Sequence, residues 1–187
     1  MMNSRERVMC ALAGEQPDRV PFCEGSVDLK VAREIAGTDR DLSEREISDL
    51  LDRDVVVAVV FPPYFAEQEV GADGQSYVTT GWIKSRDDLE KMVFPDPDDP
   101  ELYRDAEQIL AERGDKAAAA AIKLGAAPTL ISMGLEGFSY ALVDDPGLVH
   151  EVLRRYTDWQ LTVTGRLIEM GFDFLWSFDD IAYKSGP

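Results

Sequence analysis

The run Asp54-Val55-Val56-Val57-Ala58-Val59-Val60 constrains this chain more than any other stretch. After its aspartate it is apolar at every position and does not alternate, the pattern of a strand covered on both faces. Strands of that kind belong to parallel sheets flanked by helices. Ala117 to Leu124 has the same character. Five consecutive alanines favour a helix on propensity alone, but Gly114-Asp115 before the run and Gly125 after it leave room only for a short buried strand. Asp18 to Gly25, with Pro21 near its start where a missing N–H is tolerated, and Asp173 to Phe178 complete the set. Four buried strands are thus predicted, near 19–24, 54–60, 117–124 and 173–178.

Helical signals fill the intervals. Asn3 with Glu6 and Ser43 with Glu46 are spaced as capping boxes, opening a helix that ends at Gly14 and one that carries Ile47, Leu50 and Leu51. Asp28 to Ala36 reads as a helix stopped by Gly37. Asp99 and Pro100 are placed as N-cap and first residue of a helix to Arg113. Pro128 begins an apolar helix through Leu142, and Asp145-Pro146 opens a long one that reaches Met170 before Gly171. Gly74 to Trp82, rich in Thr and aromatics and alternating, reads as a peripheral antiparallel excursion.

Strand–helix alternation implies an α/β fold with a parallel sheet. An eight-stranded barrel needs about 250 residues, so four units in 187 residues make about the first half of a (β/α)8 TIM-type barrel. Residues 1–187 are expected to form one domain, truncated or completed by another copy of the chain, because an open parallel half exposes two apolar edges.

The chemistry of the whole chain narrows the partners. With 36 acidic and 19 basic residues the formal charge is −17, which opposes nucleic acid and anionic membrane surfaces. No apolar run reaches the roughly 18 residues a span needs, and the opening MMNSRERVMC lacks an export signal. A cytoplasmic protein acting on a small molecule is expected. Cys10, Cys23 and His150 are too few and too dispersed for a metal site. Cys10 and Cys23 read as packing residues and His150 as a structural histidine.

Ligands of parallel α/β folds sit at the C-terminal ends of the strands. That rule selects Cys23-Glu24-Gly25, Phe61-Pro62-Pro63-Tyr64, Gly125 to Pro128, and Phe178-Asp179-Asp180. Asp179 and Asp180 are the catalytic candidates: adjacent carboxylates beside Trp176 and Phe178 suit proton transfer or a cationic ligand. The alternative is one aspartate capping a helix and the other facing water. Glu24 is a substrate contact or the partner of a Lys or Arg. Tyr64 lines the pocket or packs its rim. Met133 and Glu136 are further substrate-contact candidates. Glu136 needs a hydrogen-bonding partner if it is buried. Tyr183, in the closing loop, completes the set.

Several stretches together resemble the uroporphyrinogen decarboxylase superfamily, which includes methyltransferases acting on methylated corrinoid proteins. They are Asn3 to Val8 through Pro17-Asp18-Arg19-Val20-Pro21, Phe94-Pro95-Asp96-Pro97, the segment from Gly125 through Pro128-Thr129-Leu130 to Glu136-Gly137, and the ending Asp179-Asp180-Ile181-Ala182 with Ser185-Gly186-Pro187. The resemblance runs almost the whole chain and implies an eight-stranded barrel of which this chain supplies about the first half.

It also implies where the chain departs from true decarboxylases. Those enzymes place an arginine-bearing stretch after the first strand, an aspartate after the second and a tyrosine in the Thr-Leu segment. This chain has Phe22 to Asp28 without arginine, Phe61-Pro62-Pro63, and Met133. A substrate with many carboxylates would lack its positive clamp. The resemblance therefore favours a methyltransferase-like member acting on a methylated corrinoid or small methyl donor, with an atypical uroporphyrinogen III decarboxylase, or a non-catalytic half-barrel that forms a homodimer or binds a partner, as alternatives. Methyltransferases of the group use a zinc-bound thiol. Their His and Cys ligands belong to the later half of the barrel, so this chain is expected to bind no cofactor and to be inactive by itself, zinc being expected only in a full-length protein of the methyltransferase type.

Overall fold

The computed structural model describes residues 1–72 and 74–181. The described chain is a mixed α/β protein with a parallel sheet and helices, and it divides into two units. The first comprises Met1–Val60, Pro100–Ala121 and Arg166–Trp176; the second comprises Phe61–Asp99, Ile122–Gly165 and Ser177–Pro187.

In the first unit, α1 (Ser4–Leu12) opens with the Asn3/Glu6 capping box, α2 (Leu29–Ala36) runs from its Asp28 cap to Gly37 at φ 65°, and α3 (Glu44–Leu50) opens with the Ser43/Glu46 box. Strand β1 (Val55–Val59) pairs in parallel with a strand covering Ala117–Ile122, Val55 opposite Ala117 and Val59 opposite Ala121. That alanine strand is buried at all six positions. Burial between neighbours overrides the helix propensity of alanine, because a row of methyl groups lets layers approach on both faces. A third strand, Phe174–Ser177, lies beside it, giving the sheet order 55–59, 117–122, 174–177.

The fourth expected strand, 19–24, does not form. The segment runs extended and gives only one backbone bond to the strand beside it, from Asp54 N–H to the Phe22 carbonyl at 2.7 Å. Pro21 has no N–H, and the N–H of Phe22 is taken by the Asp54 carboxylate at 2.8 Å, so no ladder can propagate.

Two buried charges hold that segment. Asp54, fully buried, accepts from Arg7 at 2.6 Å and pairs with Arg19 at 2.9 Å. Arg53, 1% exposed, donates to the Glu24 carbonyl at 2.8 Å, to Ser48 at 2.8 Å and to Glu44 at 2.7 Å. Glu44 also accepts from the Val57 N–H at 2.9 Å. Burial pushes the Glu44 carboxyl up, against the pull of Arg53.

In the second unit, β2 (Ala66–Val70) and β3 (Ser76–Gly81) form an antiparallel hairpin with an irregularity at Glu67/Gln68. The excursion expected at 74–82 is therefore real, but its partner strand, polar and mostly exposed, carries no apolar alternation to betray it. The expected helix from Asp99-Pro100 begins as a 3-10 turn, Pro100–Tyr103, and continues in the first unit as α4 (Arg104–Glu112). The alanine strand is β4 and the strand 174–177 is β5.

The single helix expected from Pro128 to Leu142 is two: α5 (Ala126–Met133) and α6 (Leu135–Asp144). Gly134 between them stands at φ 74°, ψ 149°, a conformation open essentially to glycine. Lys84 closes the break by donating to the Met133 carbonyl at 3.2 Å. The long helix α7 (Pro146–Met170) stops before Gly171 at φ 94°. The core of this unit gathers Phe65, Ile83, Met92, Met133, Leu148, Val149, Val152 and Tyr156.

Asp54 sets an acid limit on the first unit. Burial opposes its charge, but the Phe22 N–H, Ser4, Arg7 and Arg19 outweigh burial and hold its carboxyl below the usual range. The Arg7 hydrogen bond holds Asp18 down to about 2. Folded values below the unfolded value of about 3.9 give stability that is complete above that value and lost as pH falls through the folded ones. The midpoint of urea unfolding should therefore stay level from about pH 7 to pH 5 and fall from about pH 4 toward pH 2. Asp54→Asn should lower the plateau and flatten the fall.

Candidate functional site

The segments that follow β1, β4 and β5 carry the residues of interest, and all belong to the second unit. After β1 the chain passes through Phe61-Pro62-Pro63-Tyr64. Its course is fixed by the fully buried Tyr156, whose hydroxyl donates to the Pro63 carbonyl at 3.0 Å and lies 2.6 Å from Ser132 Oγ. Ser132 in turn accepts from the Phe65 N–H at 3.0 Å. Burial pushes the Tyr156 hydroxyl up to about 12, so it stays protonated and structural.

After β4, Lys123 extends its ammonium to the Tyr64 hydroxyl at 2.6 Å. The same ammonium lies 4.9 Å from the centroid of Phe61, within cation–π range. Phe61 meets Phe178 edge to face at 6.0 Å. Two aromatic rings, a lysine and a tyrosine hydroxyl thus converge where the strands end.

After β5, the two aspartates part company. Asp179 accepts from the N–H of Leu124, from the N–H of Ala127 at 2.9 Å and from Ser177 Oγ at 2.9 Å. It fastens the turn from β4 into α5 and supplies an acceptor to N–H groups a helix start leaves unpaired. Asp180 is exposed, and no described residue pairs with it. The pair thus resolves into one anchoring and one solvent-facing carboxylate, and the helix that is capped is α5, which precedes the pair in sequence.

The other candidates are dispersed. Met133 is 1% exposed within the core of the second unit, so its reading as a substrate contact is corrected: packing on all sides leaves no face for a ligand. Glu136 is exposed in the first turn of α6 and borders a cleft of about 490 Å³ with Thr79, Thr80, Lys84 and Tyr140. Glu24 is exposed in the first unit, its side chain accepting from the Gly25 N–H at 3.2 Å. His150 is exposed on α7. Tyr183 lies outside the described residues. Lys123 was the residue that sequence reasoning passed over. Its signal was present, a lone cation closing an apolar run, but reading the strand through to Leu124 placed it inside a buried element.

The donor set does not fit zinc. Among the described residues no group of three or more His, Cys, Asp or Glu is arranged to hold a metal ion. Burial pushes the Cys23 thiol up to about 11, away from the thiolate a metal requires. No described helix is long and apolar enough to cross a membrane.

No family profile matches the sequence, and no curated protein matches it. Among solved structures the chain is similar to a methyltransferase from Methanosarcina mazei, with a TM-score of 0.66 and 17% identity, over 94% of this chain and 58% of that one. The chain therefore shares the fold of that protein and spans 58% of its length.

Removing the Asp179 acceptor strands two backbone donors. Asp179→Ala should cost about 1–2 kcal/mol of stability, read from the urea midpoint, whereas Asp180→Ala should leave that midpoint unchanged.

Proposed function

We propose that this chain is the first half of a methyltransferase-like barrel of the uroporphyrinogen decarboxylase superfamily, with its substrate at the mouth formed by the segments after β1, β4 and β5. The observation that carries the proposal is the fold shared with the Methanosarcina mazei methyltransferase over 94% of this chain. The parallel pairing of β1 and β4 and the convergence of Phe61, Tyr64, Lys123 and Phe178 beyond the strands support the placement. The methyl donor would be a methylated corrinoid or a small methylated molecule.

In such a reaction the acceptor's lone pair forms the new bond to the methyl carbon while the old bonding pair stays with the leaving atom. Residues of this chain would position the donor and manage the charge that develops. The rings of Phe61 and Tyr64 supply an apolar wall. Asp179, occupied by three donors, holds the β4–α5 turn in place. Asp180 is the carboxylate exposed to accept a proton or a hydrogen bond from the bound molecule.

The test is methyl transfer to a thiol by a chain extended past Pro187 to supply the rest of the barrel, with either donor class supplied. Asp180→Asn should lower kcat by roughly 10²-fold, as loss of a positioned acid–base group does, without moving the thermal midpoint. Loss of carbon dioxide from a porphyrinogen, in place of methyl transfer, would overturn the reading.

A further inference from the structure

The Lys123–Tyr64 contact has a directional consequence. An ammonium has three protons and no acceptor, so in the 2.6 Å contact Lys123 donates and the Tyr64 oxygen accepts. Tyr64 must therefore turn its own proton elsewhere. Two protons of Lys123 and one of Tyr64 remain, and no described residue accepts them. Lys123 forms no salt bridge among the described residues, although 36 carboxylate side chains stand in the sequence. Both side chains are half-buried, and the charge is held by the Tyr64 hydroxyl and beside the ring of Phe61.

We infer that Lys123 and Tyr64 form a carboxylate-binding site for a small molecule with an apolar or aromatic body. The chemistry is complementary on three counts. A carboxylate has two oxygens to accept from the ammonium and the phenol together, and charge-assisted bonds of this kind are the strong ones. Its single negative charge matches the single cation, whereas a phosphate dianion would bring a second charge into a chain at −17. Phe61 and Phe178, in edge-to-face contact, offer an apolar surface to the body that carries the carboxylate. Lys123 is thus the specificity-determining group of the mouth. The inference rests on placing the substrate of the proposed function there, and it names that substrate's class.

Benzoate, its neutral isostere benzamide, and phenyl phosphate make the test. Titrated into the protein and followed by NMR or calorimetry, benzoate should bind and benzamide should bind at least tenfold more weakly. Lys123→Met should weaken benzoate by on the order of tenfold or more, the value of a charge-assisted bond, and Lys123→Arg should restore much of it. Tyr64→Phe should weaken it less. In the unsubstituted protein, where folding of a variant is not at issue, saturating benzoate should slow reductive methylation of Lys123, read by mass spectrometry.

Equal affinity for benzoate and benzamide, tighter binding of phenyl phosphate, or an unprotected Lys123 would each overturn the inference. Failure of this site and failure of the proposed function separate cleanly. Methyl transfer from a neutral donor without benzoate binding removes the carboxylate site alone. Benzoate binding through Lys123 without methyl transfer removes the methyltransferase reading alone.

Discussion

An aspartate carboxylate accepting a backbone N–H from the neighbouring segment recurs at three places around this sheet. Asp54, just before β1, takes the N–H of Phe22. Asp173, just before β5, takes that of Ala118 at 2.9 Å, while Arg5 and Arg113 pair with the same carboxylate. Asp179, beyond β5, takes those of Leu124 and Ala127. Buried donors left without acceptors are costly. Parallel strands of unequal length cannot satisfy every one by pairing alone. The carboxylates add to the sheet's hydrogen bonding at and beyond the ends of the strands, and Asp179 in this way fixes the turn from β4 into α5.

The same arrangement separates structural charge from available charge. Asp54 and Arg53 are closed off by several partners each, and Tyr156 is bonded to Ser132 and Pro63. Asp179 is saturated in the same sense. Against that background Lys123 and Asp180 stand out, the first held by the Tyr64 hydroxyl beside the Phe61 ring and the second facing solvent.

Much of this was legible in the residues. Asn3/Glu6 and Ser43/Glu46 specify their helices by local chemistry alone, and the valine run of β1 reports its two-sided burial directly. The alanine strand could be read only through its flanking glycines, since its composition points the other way. What escaped notice depended on tertiary placement. β2 is polar because its faces are mostly exposed, so it has no apolar period. The interruption at Gly134 looks like any glycine in an apolar helix until its φ is known. The division of labour between Asp179 and Asp180 turns on the position of the Leu124 and Ala127 amides, which adjacency in sequence does not encode. Met133 shows the converse: an apolar residue in a site-bearing segment belongs to the core by default.

The methyl row of β4 has a consequence for how such a protein can diversify. A central strand whose side chains from Ala117 to Ala121 are single methyl groups leaves its neighbours no slack, because each added methylene there must displace material on either flank. Tolerance for larger or charged side chains begins just past the strand, where Lys123 stands half-buried, so freedom to vary and constraint by packing fall on adjacent positions of one short segment.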